Sequence, residues 1–399
     1  MEKPRASLAV QVVLFSLIRT VVNTSYRMIY PYLSTFQAGL GVGLPAISLV
    51  LTVRSLLGFA GPFLAQLADH RGRRTSMLLG AGAFTLGALI VVIFPTYAGF
   101  FASLVLMALA YLVFLPAMQA YLSDRVPYTR RGRVLGLTEL SWSAAFIAGV
   151  PLVGWLLART GKWNAPFPLL AGLGGLAVIG LLIFVRHDGP GAGQETKRKP
   201  PSIRALLVVP GVRAGLLMAL MITAANETVN LVFGIWLEDA FAFKLAALGA
   251  ASVVIGLSEM GGEGLSAWLV DRLGKQWSIR TGLLINCLAA AGLIFFSGTA
   301  WGALIGLFVF YMTFEFTLVS MLPMMSEALP GLRATVMATT ISCLALGRAV
   351  GTQVAPLIYQ QFGFTANTLV AIGFNLVALL LLTRVKVGEQ PENPPDPPV

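Results

Sequence analysis

The sequence contains few charged residues. Asp, Glu, Lys and Arg make up 11% of its 399 residues, whereas ordinary soluble domains carry about 25%. Apolar residues make up 57%, and the mean hydropathy is +0.80. A soluble protein of this length would need far more polar surface, so this composition excludes an ordinary soluble domain.

Cysteine and histidine are also scarce. The two cysteines, Cys287 and Cys343, each lie within an apolar segment, which argues against a disulfide framework and a zinc site. His70 and His187 fall in polar loops, so no histidine within an apolar segment could act as a catalyst. The chain also lacks the phosphate-binding sequence Gly-x-x-x-x-Gly-Lys-Ser/Thr. We therefore predict neither an enzyme nor an ATP-driven motor, and we expect no cofactor and no metal.

Acidic residues are outnumbered by basic ones. The net charge of +11 and the isoelectric point near 10.0 would permit nucleic-acid binding. The basic residues, however, lie in short loops between apolar runs, as the topology of a membrane protein requires. We therefore expect a lipid bilayer as the partner of this chain and no nucleic acid.

Long apolar runs are abundant, for example 81–94 and 366–382. Runs near 20 residues match the thickness of bilayer hydrocarbon, and helices satisfy their own backbone hydrogen bonds there. No small-residue cleavage site follows the first run, so we interpret it as a retained helix rather than a signal peptide. The predicted fold class is an all-α integral membrane protein with twelve transmembrane helices. The predicted segments are 8–33, 45–68, 75–94, 97–122, 133–157, 166–186, 211–237, 246–269, 278–296, 301–326, 334–358 and 364–384.

The distribution of Lys and Arg predicts the orientation. With the N-terminus in the cytoplasm, the cytoplasmic segments hold 21 of these residues and the external loops hold 3. This is a clear positive-inside bias, and it places both termini in the cytoplasm of a cell with this protein in its inner or plasma membrane. The remaining four lie within predicted spans: Arg19, Arg27, Arg54 and Arg348.

The two parts of the chain resemble each other. Corresponding residues recur at a spacing of 202 or 203 positions: Asn23 and Asn226, Tyr30 and Phe233, Asp69 and Asp271, Asp124 and Glu327, and Gly149 and Gly351. Internal repeats are typical of secondary transporters, whose binding site lies between the repeats. We predict two pseudo-symmetric six-helix bundles at 1–186 and 211–386, a cytoplasmic linker at 187–210 and a disordered tail at 387–399. We expect a monomer.

A repeated motif follows the second span of each half. Residues 65–74 read Ala-Gln-Leu-Ala-Asp-His-Arg-Gly-Arg-Arg, and residues 267–275 read Ala-Trp-Leu-Val-Asp-Arg-Leu-Gly-Lys. The first resembles the Gly-x-Leu-Ala-Asp-Arg-x-Gly-Arg-Arg signature of the major facilitator superfamily, with Ala65 and His70 as departures. The resemblance covers about the whole chain and implies the fold of that family, alternating access, and a latch that closes the cytoplasmic side.

The acids of this region do little for membrane topology, which favours a latch over a purely topological role. We expect Arg73 or Arg74 to pair with Asp124, and Lys275 or Arg280 to pair with Glu327. The predicted cytoplasmic gate comprises Asp69, Arg73, Arg74, Asp124, Asp271, Lys275 and Glu327.

A second resemblance concerns antiport. Residues 148–151 read Ala-Gly-Val-Pro, similar to the Gly-Pro motif of antiporters in the family, although Val150 stands where that motif has Gly. Segment four carries no basic residue between 98 and 119, unlike many drug antiporters. The first observation favours an antiporter, and the second weakens the drug–proton reading.

Ionisable groups inside a span are costly, which makes them candidates for function. The predicted cavity residues are Arg19, Asn23, Tyr26, Arg27, Tyr30, Arg54, Trp142, Asn226, Asn230, Trp236 and Arg348. The predicted proton-coupling residues are Glu259, Glu315, Glu227, Glu139 and Glu263. The first half supplies most arginines and the second most glutamates, so one cavity wall would be basic and the other acidic. Each charge could equally serve an internal ion pair, such as Arg27 with Glu227.

The absence of a nucleotide motif leaves an ion gradient as the energy source, and buried glutamates suit protons because burial disfavours their charged form. We predict a secondary transporter that couples the efflux of small organic or amphiphilic compounds to protons. The alternatives are uptake or flipping of a charged, zwitterionic or lipid-like molecule, and a membrane sensor that moves nothing.

Overall fold

The computed structural model describes residues 7–61, 72–185, 203–296, 298–329 and 332–385, and these residues are almost entirely helical. The first half contains α1 (Leu8–Arg27), α2 (Leu33–Leu40), α3 (Leu44–Leu56), α4 (Arg73–Ile93), α5 (Tyr97–Arg125), α6 (Tyr128–Glu139), α7 (Ser141–Ala144), α8 (Val150–Thr160) and α9 (Pro166–Phe184). The second half contains α10 (Ile203–Val208), α11 (Pro210–Asn230), α12 (Phe233–Phe241), α13 (Leu245–Leu273), α14 (Lys275–Phe295), α15 (Ala300–Glu327) and α16 (Arg333–Leu382).

Among the described residues, ten helical segments are long and apolar enough to cross a membrane, or eleven if the bent pair α2 and α3 counts as one span. The longest, α16, has 50 residues, and a straight helix of that length would extend about 75 Å. It is broken at Gly363, whose φ of 74° and ψ of −178° are not helical. We therefore assign α16 to two spans, divided where the sequence predicts the last two segments to meet.

Several predicted segments are broken where the sequence predicts continuous helices. Segment one, predicted at 8–33, is α1 followed by a break at 28–32, so α2 begins only where that segment ends. Segment seven consists of α11 and α12, separated by 231–232. In segment five, a π-helical turn at Ala145–Gly149 precedes Pro151, which cannot donate a backbone hydrogen bond. The predicted linker is shorter than expected, because Ile203–Val208 forms α10.

The backbone repeats as well as the sequence. Gly72 and Gly274 occupy equivalent positions before α4 and α14, with φ/ψ values of 85°/146° and 84°/145°. A positive φ is accessible mainly to glycine, which explains why both motifs carry it there. Each half also has a threonine N-cap at the corresponding helix: Thr96 accepts a hydrogen bond from the Gly99 amide, and Thr299 accepts one from the Gly302 amide. The same local structure is therefore built twice.

The halves meet through close helix contacts toward the predicted external end. The Tyr32 hydroxyl donates to the Val150 carbonyl at 2.9 Å, within the first half. Across the halves, Gly249 on α13 leaves room for Pro151, because a Cβ at Gly249 would lie 3.3 Å from the Pro151 Cα. A Cβ at Gly256 would similarly lie 3.0 Å from the Ser143 carbonyl oxygen. Such small residues allow helix backbones to approach closely in lipid.

Candidate functional site

A cavity of about 210 Å³ lies between the halves. It is lined by Arg19, Tyr26, Arg27, Tyr30, Tyr111, Glu139, Trp142 and Phe146 of the first half, and by Asn226, Glu227, Asn230, Glu259, Glu263, Phe314, Glu315, Leu318 and Arg348 of the second. Three arginines and five glutamates thus face one space. The cavity combines this charge with aromatic and amide side chains.

Arg19 is held within its own half. Its guanidinium forms two hydrogen bonds with the Glu139 carboxylate, at 2.9 and 2.8 Å. The same guanidinium donates to the Thr138 hydroxyl at 3.2 Å, and the Gln119 amide donates to Glu139 at 3.3 Å. This planar, bidentate geometry is the strongest that an arginine makes with a carboxylate. Arg19 and Glu139 therefore neutralise each other at one wall of the cavity.

Arg27 forms an ion pair across the halves. It donates through both terminal nitrogens to Glu259, one of these bonds measuring 2.7 Å, and both side chains are buried. Arg27 also donates to the Trp142 carbonyl at 3.2 Å, and its guanidinium lies 4.3 Å from the Trp142 ring centroid and 3.5 Å from that of Phe146. The structure thus pairs Arg27 with Glu259 and not with Glu227, the partner considered from the sequence.

Glu227 belongs to a second polar chain between the halves. Arg54 donates to the Tyr30 hydroxyl at 2.9 Å, and Tyr30 donates to Glu227 at 2.8 Å. The Asn230 amide donates to Glu227 at 3.3 Å and accepts from the Tyr311 hydroxyl at 2.8 Å. Tyr30 thus links the positive charge of Arg54 to the negative charge of Glu227.

Three charged side chains of the cavity remain unpaired. Arg348, Glu263 and Glu315 form no hydrogen bond or ion pair with any residue that the structure describes. All three belong to the second half. One cation and two carboxylates of the cavity are therefore available to bind a solute or protons.

Not every predicted residue faces this cavity. Asn23 is fully buried and donates to the Ser141 hydroxyl at 3.3 Å. Arg54 lies behind Tyr26, with its guanidinium 3.6 Å from that ring centroid. Trp236 stacks on Phe364 at 3.8 Å. These three side chains support the packing of the helices and do not line the cavity. Helix spacing alone could not show the direction in which each side chain points.

Sequence reasoning missed four cavity residues. Phe146 lies four positions after Trp142, and Leu318 lies three positions after Glu315. These spacings place residues on one helix face and were a usable signal. Phe314, directly before Glu315, and Tyr111 carried no comparable signal.

The predicted gate residues form ion pairs inside each half. Arg73 pairs with Asp124 and Lys275 pairs with Glu327, and these two pairs occupy equivalent positions in the repeat. Arg74 instead donates to the Leu182 carbonyl at 2.8 Å. Asp271 is exposed, and Asp69 lies outside the described residues. The pairs thus brace neighbouring helices of one half, and in this conformation neither joins the two halves.

Comparison with known proteins places this architecture in a family. The sequence pattern of the Major Facilitator Superfamily matches residues 15–352 and, a second time, 216–399. The chain belongs to the major facilitator superfamily. The family resemblance drawn from the two motifs, and the fold that it implied, are thereby confirmed. The chain is a multi-pass membrane protein.

Relatives in this superfamily are membrane transport proteins. The chain is 26% identical over 367 residues to the inner membrane transport protein YdhP of Escherichia coli (strain K12), covering 90% of this chain and 91% of that one. It is 25% identical over 358 residues to the uncharacterized MFS-type transporter YwfA of Bacillus subtilis (strain 168), covering 89% and 86%. The crystal structure of a D-xylose-proton symporter superimposes with a TM-score of 0.75 at 15% identity, covering 96% of this chain and 99% of that one. At that identity the likeness concerns the fold alone.

The chemistry available in the cavity is that of binding and proton exchange. Within the described ranges, no group of three or more His, Cys, Asp or Glu side chains is arranged to hold a metal ion. Carboxylates, guanidinium groups, hydroxyls and amides are present. Such groups bind a polar solute and take up or release protons.

Proposed function

We propose that this major facilitator protein is a secondary active transporter. It works by alternating access and couples the efflux of small organic or amphiphilic compounds to the entry of protons. The observation that carries this proposal is the Arg27–Glu259 pair, which spans the two halves at the wall of a charged cavity. A single chain supplies both walls, so a monomer suffices.

The distribution of contacts between the halves supports alternating access. Gly249, Gly256 and Pro151 bring the halves together toward the predicted external end. Opening of that end requires those contacts, and the Arg27–Glu259 pair beside them, to separate. The conformation observed here would therefore receive a compound from the predicted cytoplasmic side, which is the loading step of efflux.

Glu259 is suited to couple this movement to protons. A proton on its carboxylate removes the Coulombic attraction to Arg27 and turns one acceptor oxygen into an O–H donor, so the bidentate pair is weakened. Ionised Glu259 favours the conformation in which the pair is formed. Protonated Glu259 permits the halves to separate at the external end.

The test compares exchange with accumulation in proteoliposomes. A ligand is first found by thermal-shift screening of metabolites, drugs and lipids, since a compound that binds the native state raises its melting temperature. Glu259→Gln should still bind and exchange this compound but lose accumulation driven by a proton gradient. Asp239→Asn, at an exposed acid of α12 outside both the cavity and the predicted gate, is the control and should accumulate normally. Normal accumulation with normal pH dependence in Glu259→Gln would refute this role and transfer the test to Glu315.

Two other functions have distinct outcomes. Proton-coupled uptake, or flipping of a lipid-like molecule, is favoured by the two signs of charge in the cavity. Uptake would show accumulation on the opposite side of oriented vesicles, and flipping would move a labelled lipid between leaflets. A sensor would bind a ligand in the thermal-shift assay and transport none in proteoliposomes.

A further inference from the structure

The free charges of the cavity differ from those that the sequence predicts. Three arginines of the first half would make its wall the natural binding site for an anion. Arg19 and Arg27, however, are each engaged with a glutamate in bidentate geometry. Arg54 is occupied by the Tyr26 carbonyl and the Tyr30 hydroxyl, at 2.8 and 2.9 Å. None of these three is free to bind a solute.

The cation without an ion-pair partner among the described cavity residues is Arg348, on α16 in the otherwise acidic wall that the second half contributes to the cavity. Close packing positions this part of α16 against α11, because a Cβ at Gly351 would lie 2.6 Å from the Glu227 Cβ. Arg348 lines the cavity and interacts electrostatically with Tyr26, Glu227, Tyr30 and Tyr111, and the Glu227 carboxylate accepts its hydrogen bonds from Tyr30 and Asn230. A guanidinium beside tyrosine hydroxyls offers hydrogen bonds suited to a carboxylate.

The free anions are Glu263 on α13 and Glu315 on α15. A Cβ at Gly262 would lie 2.9 Å from the Glu315 Cβ, so the two helices approach closely at this point. Glu315 consequently interacts electrostatically with the Arg27-bound Glu259 and with Glu263, and to a smaller extent with Arg27 and Arg348. The unpaired carboxylates of Glu315 and Glu263 repel each other, and a cationic group placed between them relieves that repulsion.

We propose that the substrate of this cavity is a zwitterion. Its anionic group binds Arg348 beside Tyr26 and Tyr111, and its amine binds Glu315 and Glu263. The apolar part between them contacts the aromatic side chains Trp142 and Phe314, which line the same cavity. This inference rests on the proposed transport function and narrows its substrate to amino-acid-like compounds that carry both charges.

The first test measures binding by the purified full-length chain in detergent, without any gradient. The probes are ω-amino acids of two to eight carbons, together with n-alkylamines and n-alkanoates of the same lengths. At least one ω-amino acid should raise the melting temperature, and the singly charged compounds of equal length should do so at concentrations about 10- to 100-fold higher. The proposal is wrong if the alkylamines or alkanoates bind as tightly as the ω-amino acids of equal length, or if no compound of the series binds.

Variants assign the two ends of the bound probe. Arg348→Gln should weaken binding of the ω-amino acid about 10- to 100-fold and leave binding of the alkylamine of equal length unchanged. Glu315→Gln should have the opposite selectivity. It should weaken binding of the ω-amino acid and leave binding of the alkanoate of equal length unchanged. Arg159→Gln, at an exposed position outside the cavity, is the control and should change neither. Equal loss of all three probes in Arg348→Gln would indicate damage to the fold and contradict this assignment.

Chemical modification compares the reactivity of paired and unpaired side chains before any ligand is added. Phenylglyoxal should modify Arg348 faster than the paired Arg19 and Arg27, and a hydrophobic carbodiimide should modify Glu315 or Glu263 faster than Glu259. Both reactions should slow in the presence of the ω-amino acid. Equal reactivity of paired and unpaired residues would overturn the proposal. If ω-amino acids bind as expected but are not transported in proteoliposomes, the transport function fails while the zwitterion site stands.

Discussion

Arg27 and Glu259 hold the two halves of this molecule together through a buried, bidentate ion pair, but the two residues are unequally supported. Arg27 retains the Trp142 carbonyl at 3.2 Å and the rings of Trp142 and Phe146 when Glu259 is removed. Glu259 has Arg27 as its hydrogen-bond partner and lies in one cavity with Glu263 and Glu315. An ionised Glu259 without Arg27 would therefore be a buried charge among like charges.

This asymmetry predicts unequal costs for the two single variants. Arg27→Gln should lower the free energy of unfolding by about 3–5 kcal/mol, as expected for an orphaned buried charge. Glu259→Gln should cost on the order of 1–2 kcal/mol, because Arg27 keeps its other contacts. Thermal unfolding of both variants checks this, and a larger cost for Glu259→Gln would contradict it.

A bulky residue at Gly256 should force α13 away from the first half. A Cβ there would already lie 2.8 Å from Ile147 Cγ1 and 3.0 Å from the Ser143 oxygen. Gly256→Leu should cost about 1–3 kcal/mol of stability. It should also increase the labelling, from the external side, of single cysteines introduced into the cavity. Gly264→Leu on the same helix is the control, since no atom lies within 4 Å of its added Cβ. Equal behaviour of the two variants would show that this contact does not close the external end.

Gly363 should be required for the break within α16. Its φ of 74° and ψ of −178° belong to a region that residues with a Cβ rarely adopt. Gly363→Ala should therefore destabilise the protein by about 1–3 kcal/mol, although nothing lies within 4 Å of the added carbon. Gly373→Ala, equally free of neighbours but in helical backbone, should be neutral or stabilising. Thermal melting of both variants decides whether the two spans need this glycine.

Asp124 should matter for transport more than for stability. Its side chain is 47% exposed in the pair with Arg73, and exposed pairs contribute about 0–1 kcal/mol. If the motif also acts as a cytoplasmic latch in the outward-facing state, Asp124→Asn should slow transport while the melting temperature stays nearly constant. Asp239→Asn, whose side chain is exposed and lies outside the predicted gate, serves as the control. A wild-type transport rate in Asp124→Asn would exclude the latch.

The predicted orientation can be measured with single cysteines in a variant that lacks Cys287 and Cys343. Lys162→Cys should react with a membrane-impermeant maleimide in intact cells, and Arg384→Cys should react only after permeabilisation. Both positions are exposed. Gly39 is a poor external site, because Trp163 occupies the space of its side chain. The reverse labelling pattern would invert the topology.

The resemblance of residues 65–74 to a family signature predicted the family, and hydropathy predicted the helical membrane fold and a division between 358 and 364, where Gly363 lies. These features depend on local composition and backbone chemistry, which a single sequence displays directly. The π-helical turn at Ala145–Gly149 and the breaks at 28–32 and 231–232 were not predicted. They arise where helices pack against one another, and hydropathy contains no information about that packing.

The sequence alone determined which ionisable residues enter the membrane, and all five predicted coupling glutamates line the cavity. Only the tertiary structure decided which of them are already paired. Arg27 pairs with Glu259, 232 positions away, whereas the Arg348 side chain has no hydrogen-bond or ion-pair partner among the described residues. Pairing depends on distances and angles of a few ångströms between helices of different halves. Packing against those neighbouring helices decides the direction in which each side chain points. The spacing of residues along a single helix carries no information about that packing.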